Sequence, residues 1–242
     1  MNFDSLFTVP IGDLILYFVA FVLSLSIHEA AHATTSYWFG DDTARLQGRI
    51  SLNPMVHIDP IGTLAIPLLG FLTVASGLPP LIGWAKPVDV NPLRWRNKDL
   101  ANITVSAAGP ISNLLLAIIC FIPLKVMLLQ GTVVPSFMQG GRFNMVTPIA
   151  EGSGWLMPIC TFLSVMLLLN VSLAVFNLIP IPPLDGSHVL ETFLPESFRP
   201  LYDQIKPYSF FILIGLLWLG VMSYIFTPVM VAVIRALYGN AI

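Results

Sequence analysis

Five stretches of this chain run on without a lysine, arginine or aspartate: Leu14–Phe39, Pro60–Ala85, Leu100–Leu124, Gly152–Leu184 and Tyr208–Ile234. A helix needs about 20 apolar residues to cross the ~30 Å hydrocarbon core of a bilayer, and each run is long enough. Lipid offers backbone groups no partners, so spans must satisfy their own hydrogen bonds, which points to a polytopic all-α bundle. Composition agrees. Some 56% of the residues are hydrophobic and 10% charged, against about a quarter charged in soluble domains. No connection is polar enough for a separate soluble domain. The expectation is one integral-membrane domain over residues 1–242, with spans at about 11–39, 100–129, 155–180 and 208–234.

The Pro60–Ala85 run differs in kind. It carries Pro60, Pro67, Pro79 and Pro80 with Gly62, Gly70, Gly77 and Gly83, and interior prolines remove hydrogen bonds and kink a helix. A re-entrant segment or broken hairpin over about 60–85 is expected. In Arg45–Leu52, Leu46, Gly48, Ile50 and Leu52 alternate with Arg45, Gln47, Arg49 and Ser51; period-two alternation suggests a short β-strand segment at the membrane face, the other reading being a plain loop. The net charge of −2 and the absence of a basic tract give no reason to expect nucleic acid as a partner. Cys120 and Cys160 fall in apolar runs without CxxC spacing and read as small buried hydrophobes. The N-terminus has no basic region or small-residue cleavage site, so the first span is expected to remain in the mature protein.

Inside the first run stand the only histidines and the only acid of that segment, in the sequence Ser26-Ile27-His28-Glu29-Ala30-Ala31-His32-Ala33. An ionisable group at mid-membrane costs roughly 2.5–3.5 kcal/mol on insertion scales, so it needs a partner or a task. On a helix, His28 and His32 lie one turn apart on one face with Glu29 beside them. H-E-x-x-H on a helix is the arrangement in which two imidazoles hold zinc and the glutamate acts as general base. The alternative is a hydrogen-bonded His/Glu pair packed against a neighbouring helix. A catalytic zinc takes three protein ligands and keeps an open position. Asp185 is the candidate third ligand, where Pro180, Pro182 and Pro183 end the fourth run; it reads equally as the N-cap of a helix over Gly186–Leu194.

HEAAH in the first run, "AAGPISN" at Ala107–Asn113 and "FNLIPIPPLDG" at Phe176–Gly186 together resemble the site-2 protease family of intramembrane zinc metalloproteases. "GRISLNPMVHIDPIGT" and "GWAKPVDVNP" further resemble its compact bacterial and archaeal branch, without PDZ or CBS domains. The resemblance implies that one zinc ion per chain is bound by His28, His32 and Asp185 and that Glu29 is the base. It also implies that Asn113 and Asn177 orient substrate or stabilise the oxyanion. His57 in "NPMVHIDP" either approaches the metal from the loop or is a structural histidine bonded within its turn. His188, three residues past Asp185, should point away from the ion.

If Asp185 joins the histidines, the end of the fourth run and the lower part of the first lie at one depth. Three complete crossings between them would put Asp185 on the wrong side, so one run must return, and Pro60–Ala85 is the one built to do so. With the N-terminus outside, Arg45, Arg49, Lys86, Arg94, Arg96, Lys98, Arg199 and Lys206 fall on the cytosolic side, and Lys125, Arg142 and Arg235 outside, as the positive-inside tendency requires. The function expected is a multi-pass protease of the plasma (inner) membrane, its active site toward the cytosol. It would hydrolyse peptide bonds in or near the transmembrane segment of a single-span substrate held in the lipid bilayer, and the Arg45–Leu52 strand could receive the unwound substrate by β-augmentation. The rival is a membrane metal-ion transporter using the same buried His/Glu/Asp cluster. A transporter needs several sites along a path, and this sequence offers one.

Overall fold

The structure, a computed structural model, describes residues 11–67, 69, 83–136, 144–149 and 154–239. The chain enters through α1 (Ile11–Trp38), makes a short α2 (Thr43–Leu46), and recrosses as α3 (Lys98–Leu129). Two strands, β1 (Val133–Pro135) and β2 (Val146–Pro148), pair antiparallel at the far end. The chain then returns through α4 (Leu156–Asn177) and continues as α5 (Asp185–Phe193), α6 (Arg199–Ile205), α7 (Ser209–Trp218) and α8 (Val221–Tyr238). Among the described residues α1, α3, α4 and α8 are long and apolar enough to cross a membrane. This is a multi-pass integral-membrane protein.

The core lies where α1, α3 and α4 meet, and small side chains set their approach: Ala20, Ala117, Cys120 and Cys160 are buried there beside Leu124 and Leu167. Helices in lipid gain little from hydrophobic burial against each other, so close packing through small residues carries more of their association. Both cysteines are free. The opposite face of α3 leaves Ile111, Leu115, Ile118 and Ile122 exposed, an apolar surface suited to lipid. Asn97 caps α3 by accepting from the Leu100 N–H, a typical start signal.

Two sequence expectations are corrected. The alternating segment Arg45–Leu52 holds no strand; it begins as α2 and continues in turns through Gly48, whose φ is +71°. Alternation there reflects a one-turn helix followed by a left-handed glycine, so no strand edge is available at that place, and the strand pair lies instead at 133–148. The last apolar run is not a single helix. Gly220, at φ +70°, ends α7 by donating to the Leu217 carbonyl and starts α8 on a new course, a backbone state that costs glycine nothing.

The tip of the Pro60–Ala85 run lies outside the described residues, but its two ends are in place and they touch. Pro60–Ala65 forms one turn of π-helix, its start capped by Asp59, which accepts from the Ile61 and Gly62 N–H groups. The Trp84 N–H donates to the Gly62 carbonyl at 3.1 Å, the Thr63 hydroxyl to the Trp84 carbonyl at 2.9 Å, and the Lys86 N–H to the His57 carbonyl at 2.9 Å. A Cβ on Gly62 would fall 2.4 Å from the Trp84 indole, so glycine is what lets the two sides of this neck close. A run whose ends are bonded to each other leaves and returns on one side, as a re-entrant segment does.

Candidate metal centre

His28 and His32 project from one face of α1 toward α3, and α4 delivers the chain that carries Asp185. After Asn177 the prolines hold the backbone out of helix until Leu184, where α5 begins. Asp185 is the first residue of α5, and the N-cap place before it is taken by Leu184, whose side chain cannot cap. Asp185 turns to the imidazoles. Gly186 permits the docking: a Cβ there would meet the Leu178 carbonyl oxygen at 2.3 Å.

The three side chains converge. The Nε2 atoms of His28 and His32 are 3.0 Å apart, Asp185 Oδ2 is 3.2 Å from His28 Nε2, and Oδ1 is 3.4 Å from His32 Nε2. Ligands 2.0–2.2 Å from a tetrahedral zinc stand about 3.3–3.6 Å from one another; the three distances lie at or a few tenths of an ångström below that spacing, so a small outward shift of the side chains seats such an ion. The protons agree. Nδ1 of His32 lies 2.7 Å from the Val105 carbonyl, and Nδ1 of His28 lies 2.6 Å from Asn113 Oδ1. Both partners only accept, so each ring carries its proton on Nδ1 and turns a lone pair inward from Nε2. The facing carboxylate oxygen Oδ2 of Asp185 is buried without a hydrogen-bond partner. Two imidazole lone pairs and an anion packed together repel unless a cation lies between them. The wall is shaped for one too: a Cβ on Gly109 of α3 would lie 2.4 Å from His32 Nε2 and 2.6 Å from His28 Nε2.

Glu29 stands beside this cluster, and its Oε2 accepts from the Val88 N–H at 2.9 Å. The extended segment before Asn91 thus reaches across to α1. Asn113 is fully buried, its Nδ2 donating to Asn170 Oδ1 at 2.8 Å while its Oδ1 serves His28. Asn177, half-buried on the last turn of α4, donates to the Leu173 carbonyl of its own helix. His57 is 1% exposed and its Nε2 lies 2.9 Å from the Ser51 carbonyl, a bond inside its own turn. His188 is exposed on the outer side of α5. Reading the sequence did not single out Ser24 or Asn170, nor Val88 and Val105; the only signal for Asn170 was a carboxamide in the middle of an apolar run.

Comparison with known proteins now bears on this geometry. The model of "Peptidase family M50" matches residues 16–220. The chain belongs to peptidase family M50. It is similar to "Putative zinc metalloprotease YwhC" of Bacillus subtilis (strain 168), 36% identical over 212 residues that cover 88% of this chain and 84% of that protein. It is also similar to the Rip2 proteins that bear the same zinc metalloprotease description. Identity is 32% over 208 residues for Mycolicibacterium smegmatis, covering 86% of this chain and 68% of the relative. For Mycobacterium tuberculosis (strain H37Rv) it is 29% over 198 residues, covering 78% and 62%. No solved structure matches the chain at a significant level. An M50 chain with a His/His/Asp cluster able to hold a metal ion, set among membrane-spanning helices, is an intramembrane zinc metalloendopeptidase. Nothing in it favours the transporter reading.

Proposed function

We propose that this M50 protease holds one zinc ion per chain through His28, His32 and Asp185, and cleaves single-span membrane proteins in or near their transmembrane segments. The observation that supports this most directly is the convergence of two inward lone pairs and an unpartnered carboxylate oxygen on one point. Zinc bound there supplies Lewis-acid polarisation of the scissile carbonyl and acidifies a water. Glu29 takes the proton of the attacking water and returns it to the leaving amine. The Val88 N–H engages Oε2 and so fixes the carboxylate's orientation. Asn177 keeps a second Nδ2 proton after its bond to Leu173, a donor suited to a developing oxyanion.

The active site belongs on the cytosolic side of the plasma membrane, and the whole chain acts as one domain. Support for the side comes from charge: eight of the eleven lysines and arginines lie on the face that carries the neck of the re-entrant segment and the end of α4. The test is cleavage of a panel of single-span substrates in liposomes by the purified chain and by Glu29→Gln. The variant should keep its zinc while cleavage falls by about 10²–10⁴-fold, the usual contribution of a general base. Full cleavage by Glu29→Gln would remove the assigned base, and no cleavage of any span by the unmodified chain would remove the substrate class.

A further inference from the structure

We propose that Asn170 of α4 acts through Asn113 to fix the imidazole tautomer of His28, making it a positioning residue of the metal centre. The inference rests on the reading of His28 as a ligand and extends it to a residue on another helix. Its basis is the polarity of a hydrogen-bond chain with main-chain carbonyls at its far end. Ser24 Oγ donates to the Ala20 carbonyl at 2.7 Å, so its oxygen is left to accept. Asn170 Nδ2 donates to that oxygen at 2.8 Å and to the Met166 carbonyl at 2.8 Å, which spends both of its protons. Asn170 Oδ1 must then accept, and it does so from Asn113 Nδ2 at 2.8 Å. That leaves Asn113 Oδ1 pointing at His28 Nδ1, 2.6 Å away.

A carbonyl cannot donate, so the chain has one direction only. Rotating the Asn113 carboxamide by 180° would aim two N–H groups at His28 and two oxygens at each other. Ser24, Asn113 and Asn170 are all 0% exposed, so water cannot repair such a fault, and an unsatisfied buried polar group is costly. His32 needs no such relay, because the Val105 carbonyl addresses it directly. For His28 the nearest group is a carboxamide, which reads either way round until something orients it. Asn170 supplies that orientation, and with it the inward lone pair on Nε2.

Zinc affinity of the full-length purified chain, measured by competition with a chromophoric chelator, tests this. Asn170→Leu keeps the bulk and removes both functions, and zinc should bind about 10–100-fold more weakly, the usual loss when the partner of a ligand is removed. The double variant Asn113→Asp/Asn170→Leu should recover the affinity of the unmodified chain, because a carboxylate accepts with either oxygen and needs no orienting partner. A packing defect at position 170 would not be repaired by a buried acid. Unchanged affinity in Asn170→Leu, or no recovery in the double variant, overturns the proposal. Should the leucine variant fail to fold, the ¹⁵N spectrum of the histidine-labelled unmodified protein decides: a proton on Nδ1 of His28 supports the relay, and one on Nε2 overturns it. His28→Ala separates the two ideas. If it binds zinc normally the ligand reading has failed; if it loses zinc and Asn170→Leu does not, only the relay has.

Discussion

Gly109 occupies the one place on α3 where a side chain cannot be tolerated, because its Cα forms the wall facing both imidazoles. Gly109→Ala should therefore lower zinc content to a small fraction of one ion per chain while the helical circular dichroism stays unchanged. Metal analysis of the purified variant is the check, and normal zinc content would show that α3 can retreat. The histidines and Asp185 could be picked out from sequence for a physical reason: ionisable groups are expensive in an apolar run, so each stands out and asks for a partner. Gly109 carried no such signal by itself, since a glycine beside Pro110 in a membrane helix has many uses. Asn170 was hidden for a related reason. A lone carboxamide does stand out among leucines, but nothing along the chain says that its partners are Ser24 and Asn113 on two other helices.

Elements at the membrane face are tied together by one carboxylate. Asp41, fully buried just past α1, accepts from the Ser36 hydroxyl, from both the N–H and hydroxyl of Thr43, and from the Asn91 N–H. Trp95 adds its indole N–H to Ser36 Oγ. The knot joins the end of α1, α2 and the segment that returns from the re-entrant run. Burial opposes ionisation of Asp41, and the donors from Asn91, Thr43 and Ser36 outweigh it, so its carboxyl lies below the ordinary 3.8. The sign follows from the lowered value. The stabilisation is complete above pH 3.8 and is lost as pH falls through the folded-state value. Asp41→Asn should cost about 1–3 kcal/mol at neutral pH, since it leaves buried donors without an acceptor, and should flatten the acid limb of a thermal-stability profile. An acid limb unchanged by the substitution would place its origin in another group. The sequence reading took the neighbouring residues 45–52 for a strand because polar and apolar side chains alternate there. Over so few residues a single helical turn and a glycine turn produce the same alternation, and the segment's side-chain tie to distant chain, from Gln47 to Asp89 at 3.0 Å, is not written in it.

For the whole molecule the decisive question was parity, whether an odd or even number of crossings separates His32 from Asp185. The bonded neck at Gly62 and Trp84 makes the second apolar run a return rather than a crossing. In a variant lacking Cys120 and Cys160, Asn53→Cys and Asn91→Cys should both react with an impermeant maleimide from the cytosolic side alone. Reaction of the two from opposite sides would refute the return and detach Asp185 from the histidines. The number of spans was legible from run lengths, and the need for a returning segment from prolines and glycines. The split of the last run at Gly220 was not, because one glycine in an apolar stretch does not announce its φ. The ligands of the metal centre are also far apart in time. Asp185 is translated 157 residues after His28, which at 5–20 residues per second is about 8–30 s of synthesis. Until Asp185 has been made, the two imidazoles are without the carboxylate that completes their cluster. By the order of the sequence itself, the cluster closes only once α5 has been made and has docked.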